Sequence, residues 1–125
     1  MNHERKVVLW SQPIISGRTV GPTEVEQGMG SLLLANVSKR KISVRHECYD
    51  RLGTKISQGN ELLEPGHVGV SQNLTAGQSH REFMYCKIWY QGSKNDIRAS
   101  LIMSTFDGGT PGSEKFTPVY AVSFS

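Results

Sequence analysis

The stretch HECYDRLGTK, His46 to Lys55, sets a histidine, a glutamate and a cysteine in consecutive positions just ahead of a turn. Such side chains could ligate a metal or supply a nucleophile with its base. In an extended chain, however, alternate residues point to opposite faces, so His46 and Cys48 share one side and Glu47 takes the other. His46-x-Cys48 with the second cysteine, Cys86, is one ligand short of a closed zinc site, and no paired CxxC or HxxxH spacing accompanies it. A copper site of the sandwich type needs a histidine after its late cysteine. Here Lys87, Ile88 and Trp89 follow Cys86, and no histidine lies beyond it. A cysteine nucleophile needs an exposed, electropositive position, whereas both cysteines fall at inward strand positions. They are read either as two buried free thiols or as a disulfide.

Other catalytic signatures are missing from the sequence. There is no GxSxG, and Glu24, Glu26, Glu61, Glu64, Asp96, Asp107 and Glu114 form no partner pattern. GTPGSEK, Gly109 to Lys115, lacks the strand, spacing and following helix of a phosphate loop. An active site would have to gather His46, His67 or His80 with an acid, which the spacing does not predict. The expectation is a chain that is not an enzyme, with no catalytic residue, no metal and no cofactor.

The elements that must position these residues are strands. No window sustains a helical period without a Gly or Pro interruption, while strand patterns recur at intervals of about 8 to 15 residues. Lys6–Trp10 and Pro13–Val20 read as a broken edge strand, since Pro13 removes a ladder donor and Gly17 invites a bulge. Gly30 to Ser38, with its run Leu32–Ala35, suits a central strand. Lys41–Asp50 puts Ile42, Val44, His46 and Cys48 inward and Lys41, Ser43, Arg45, Glu47 and Tyr49 outward. Asp50–Gly53 reads as a hairpin turn leading to a short strand around Lys55–Ser57. After the turn LLEPGH, Val68, Val70 and Leu74 are expected to face the core. Arg81–Gly92 and Asp96–Phe106 read as a long hairpin closed by Gly92–Asn95, and VYAVSFS as a last strand.

Projecting the alternation onto three neighbouring strands gives an outer face of Tyr49, Phe83, Tyr85, Trp89, Ile102 and Phe106, interleaved with Arg45, Lys87 and Arg98. Contiguous apolar patches mark interaction sites, and Tyr, Trp and Arg are the residue types of protein interfaces, sugar platforms and base-stacking sheets. Three readings stay open: a second core covered by the same chain, a self-association surface, or a site for a glycan or nucleic acid. The KRK triplet at Lys39–Lys41 reads as a solvated turn. Two sequons, at Asn36 and Asn73, fit glycosylation only in a eukaryotic secreted protein.

The bulk properties agree with a small globular module. At 125 residues, with 37% apolar residues, 20% charged residues and 13 glycines, the chain is long enough for one core. The expected organisation is one domain over 1–125: an edge segment and loop to 28, the sandwich core over 29–106, and a loop with a C-terminal strand from 107. A net charge of +3 permits an anionic partner without demanding one. No apolar run reaches the roughly 18 residues of a membrane helix, and the first twenty residues lack a secretory apolar core. The reading is therefore cytoplasmic, or extracytoplasmic if the chain is a trimmed piece.

LLANVSKRKISVRHECYDRLGTK, LLEPGHVGVS and FMYCKIWYQGSKNDIRASLIM together resemble the immunoglobulin-like and fibronectin-III-like sandwich modules of many bacterial extracytoplasmic proteins. The shared grammar is a strand ending in Asn-x-Ser, a strand ending in Tyr-Asp-x-x-Gly, a Pro-Gly turn and a closing hairpin, over Gly30 to Phe106. The chain departs from antibody-type domains, because its cysteines lie on the strands read as third and sixth and the core Trp is missing. The resemblance implies an all-β sandwich of seven to eight strands used in adhesion, recognition or assembly, and carries over no catalytic residue. The expected function is a non-enzymatic binding or assembly module, a homo-oligomer or one engaging a protein partner through Tyr49, Phe83, Tyr85, Trp89, Phe106, Arg45, Lys87 and Arg98.

Overall fold

Alternating apolar and polar residues between glycine- and proline-bearing turns leave the chain little choice but strands, and strands are what it forms. A computed structural model describes residues 5–15, 17–19, 25–71, 83–107, 115–116 and 120–125. The described elements, all strands, are β1 (Arg5–Trp10), β2 (Ile14–Ile15), β3 (Gly17–Thr19), β4 (Val25–Asn36), β5 (Ile42–Tyr49), β6 (Lys55–Leu63), β7 (Val68–Ser71), β8 (Phe83–Gly92), β9 (Ile97–Asp107), β10 (Lys115–Phe116) and β11 (Tyr120–Ser123). They make two antiparallel sheets. The first has the order β1-β8-β5-β6, with β2 also on β8; the second has β10-β9-β4-β3, with β11 on β9 and β7 on β4.

The core lies between the sheets. Ile42, Val44, His46 and Cys48 of β5 are all buried, as alternation requires, and meet Met84, Cys86, Ile88 and Tyr90 of β8 and Leu32, Leu34, Ile97 and Leu101 of the second sheet. β4 is central in its sheet, but it starts at Val25, well ahead of the expected Gly30, because Gly28–Asn36 find partners along β9. β6 likewise runs on to Leu63, held by β5 from end to end.

Two expectations are corrected. Arg81–Gly92 and Asp96–Phe106 do not form a hairpin, since β8 and β9 lie in different sheets. The N-terminal strand β1 pairs with β8 along its whole length and takes the edge that β9 was expected to fill. The chain crosses between sheets at 93–96, where Tyr90 Oη donates to the carbonyls of Ser93 (2.9 Å) and Lys94 (3.2 Å) and Arg40 bonds Asp96 and the Gln91 carbonyl. Val68 and Val70 do not face the core either: they are 60% and 46% exposed, and Gly69 between them points inward. The register with β4 decides this, because Gly69 lies opposite buried Leu34 and Val70 opposite Leu33. Leu74 lies outside the described residues.

The broken edge strand is real, and its break is mended locally. At Ser11 the backbone N–H donates to the Cys86 carbonyl (2.8 Å), while the Ser11 hydroxyl accepts from the Cys86 N–H (2.9 Å). Pro13 then sits in the gap before β2, where no ladder donor is required. Beyond β2 the chain joins the second sheet as β3. The two sheets also meet at the C-terminus, where Trp10 and Ser125 exchange backbone hydrogen bonds of 2.9 Å each.

Candidate functional site

The outer face of the first sheet is built by register. Across β1, β8 and β5, Val8 lies beside Trp89 and Trp89 beside Arg45; Trp10 lies beside Lys87 and Lys87 beside Glu47; Tyr85 lies beside Tyr49. The rings of Tyr49 and Tyr85 stack at 5.3 Å between centroids, and Trp10 stands 6.1 Å from Tyr85 and 6.3 Å from Tyr49. Offset aromatic contacts of this kind fix a rigid platform. Lys87 is held between the two tryptophans, its Nζ 5.4 Å from the Trp10 ring and 5.1 Å from the Trp89 ring. It also lies 3.8 Å from the Glu47 carboxylate.

Glu47 receives a short hydrogen bond from the Tyr49 hydroxyl. That bond, helped by Lys87, holds the Glu47 carboxyl below its usual range. On the other partner, desolvation and then the bond to Glu47 push the Tyr49 phenol up to about 12. Tyr49 is therefore a donor locked on a carboxylate, a poor base and a good structural peg. On either side of Trp89 and Arg45 the surface dips. One depression of about 360 Å³ is lined by Glu47, Gln58 and Asn60, the other, of about 350 Å³, by Lys6, Ser43 and Gln91.

Of the residues expected on this face, Tyr49, Tyr85, Trp89, Arg45 and Lys87 come together. Arg98 and Phe106 do not, nor does Ile102: all three lie on β9 in the other sheet, displaced by the pairing of β1 with β8. Phe83 opens β8 opposite Ile15, and the side chains of Phe83 and Phe106 lie outside the described residues. Sequence reasoning missed Trp10, and it put Glu47 on the outward side without assigning it a part in the cluster. Val8 and Trp10, each 44% exposed, share a parity in KVVLW, a signal that acquires meaning only once β1 is known to flank β8.

The cysteines and His46 stay off this face. Cys48 and Cys86 lie directly opposite on β5 and β8 with Cα atoms 4.0 Å apart, fully buried and joined as a disulfide within one sheet. His46 is 3% exposed, and neither ring nitrogen has a hydrogen-bond partner among the described residues. Burial lowers its pKa, with Glu61 pulling the other way. His67 is exposed on a turn, and His80 and the Asn73 sequon lie outside the described residues. Among those described, no three His, Cys, Asp or Glu side chains gather as a metal site. In the KRK triplet, Arg40 is bonded to Asp96 and Lys41 to Glu64 (3.1 Å), which leaves no contiguous basic patch there.

Neither a protein-family model nor a curated protein sequence matches this chain. Among solved structures, the crystal structure of Thermotoga maritima 1070 is similar over 100% of this chain and 96% of its own, with a TM-score of 0.58 and 11% sequence identity. At that identity the likeness is one of fold alone. The two antiparallel sheets are read from this chain's own strands.

Proposed function

We propose that the chain is a non-enzymatic binding module that engages a protein partner through the aromatic and basic outer face of its first sheet. The observation that carries this reading is the cluster of Trp10, Tyr49, Tyr85 and Trp89, assembled from three strands and partly open to solvent. Rigid aromatic side chains ringed by charge are what interface centres are made of. The architecture we infer is an immunoglobulin-like sandwich. Support comes from β5 lying beside β8 in one sheet and β4 beside β7 in the other, as the corresponding strands do in such modules. A second reading, a glycan site, is favoured by one observation: Trp89 borders a depression lined by the carboxamides of Gln58 and Asn60.

The chain has two tryptophans, and both lie on this face. Tryptophan emission, excited beyond the tyrosine absorption band, therefore reports on it alone. Titration with extended peptides, oligosaccharides and a single-stranded oligonucleotide separates the readings. A peptide response that persists at high salt supports the proposal, a salt-insensitive sugar response moves it to the second reading, and an oligonucleotide response that collapses with salt indicates phosphate binding. A partner whose binding leaves the emission unmoved, and whose affinity survives Trp10→Glu, sinks the aromatic face as the site.

A further inference from the structure

β6 ends the first sheet, paired with β5 on one side and with no described strand on the other. The direction of its amides follows from the cystine. Cys86 turns both its N–H and its C=O to Ser11 on the far side of β8, so the closely spaced Cys48–Cys86 pair is the non-hydrogen-bonded kind. Cys48 must then bond toward β6. By alternation Ser57, Gly59, Glu61 and Leu63 bond β5, and Gln58, Asn60 and Leu62 aim their N–H and C=O groups outward along the open edge.

Proteins blunt such edges with proline, lysine or bulges. β6 has no proline, its only basic residue is Lys55 at the start, and its only irregularity lies beside Tyr49 at that same end. Glu61 points inward, itself a device that guards an edge, but its carboxylate already accepts a bond from the Ser71 hydroxyl (3.0 Å) and sends no charge out along the open edge. What an edge of unpaired amides fits is another extended strand.

We propose that the occupant is β6 of a second copy of this chain, antiparallel about a two-fold axis at Gly59. The strand is its own complement in that register. Gln58 falls opposite Asn60 of the second copy, two carboxamides that each offer donor and acceptor. Ser57 falls opposite Glu61, Gly59 faces Gly59 without a side chain on the axis, and no like charges oppose. An isologous contact of this kind closes on itself as a dimer. It also sets the aromatic faces of the two copies side by side on one continuous sheet, although the pairing stands independently of what those faces bind.

The test is solution mass across concentration for the wild type, Asn60→Pro and Trp10→Glu, with amide hydrogen exchange on the wild type. Asn60→Pro removes an outward N–H that β5 does not use, and the expected result is dimerisation weakened by at least about tenfold. Trp10→Glu should remain dimeric, so failure of the aromatic-face reading is seen separately. In exchange, Gly59 and Glu61 should be slow at every concentration, and Gln58, Asn60 and Leu62 should slow only as the dimer fills. If Asn60→Pro fails to fold, that exchange pattern decides. A monomer at all concentrations, a dimer indifferent to Asn60→Pro, or an Asn60 amide that stays fast in the dimer overturns the proposal.

Discussion

Asn36 and His46 are both polar and both buried, and their surroundings treat them in opposite ways. Asn36 is fully covered; its Nδ2 donates to the carbonyls of Arg40 (2.8 Å) and Leu63 (2.9 Å), and its Oδ1 accepts from the N–H and hydroxyl of Ser38. The sequon there is thus a structural clamp with no amide left for a glycan. Asn36→Ala should cost about 2–4 kcal/mol in denaturant unfolding, because it leaves several backbone groups without partners. His46 has no such satisfaction, and its folded pKa lies below the ordinary 6.5. The unfolded chain therefore takes up a proton that the folded chain refuses. Stability is full above that value and falls as pH drops below it. Melting curves from neutral to mildly acidic pH should fall for the wild type and fall less for His46→Leu; equal slopes would show that His46 is not the group responsible.

The strands show how far local pattern reaches. Alternation in Lys41–Asp50 placed every inward residue of β5 correctly, because that strand is packed on one face only. The turn after it was legible too: Asp50 accepts from the N–H groups of Leu52 (2.8 Å) and Thr54 (2.9 Å), and Gly53 takes a φ of 81°. The phase of β7 was not, since Val68-Gly69-Val70 alternates equally well either way and only the partner strand selects. A Cβ at Gly69 would overlap the Glu61 carboxylate and come within 2.8 Å of Leu63 Cδ2. Gly69→Ala should accordingly destabilise by about 1–3 kcal/mol, whereas Val70→Thr, on the exposed side, should change little. Pairing between distant strands was the least legible feature, as the β8–β9 misreading shows: a four-residue connection suits a hairpin and a crossing alike. The disulfide ties two such distant strands across a separation of 38 residues. Replacing both cysteines with alanine should lower unfolding stability by about 3–4 kcal/mol on the loop-entropy model, as read by chemical denaturation.

At the scale of the molecule, the two outer faces differ in kind. The first sheet presents aromatic rings pinned by Lys87 and Glu47, with Arg45 exposed beside them, and the second presents Val68 and Val70 with Arg98 at its rim. Five of the eight residues named for the outer face share it because β5 and β8 are true neighbours. Trp10 was not, since nothing local says which sheet an N-terminal strand will join. The face itself is tested most directly by site-specific photo-crosslinking. A benzophenone side chain at position 85 is compared with one at position 70 on the opposite sheet, in extract of the source cell, and the captured protein is then purified and rebound. Capture is expected from position 85 and not from 70, with rebinding weakened at least about tenfold by Trp10→Glu, as loss of one interface anchor should do. Capture from position 70 alone, or rebinding that Trp10→Glu leaves unchanged, would contradict it.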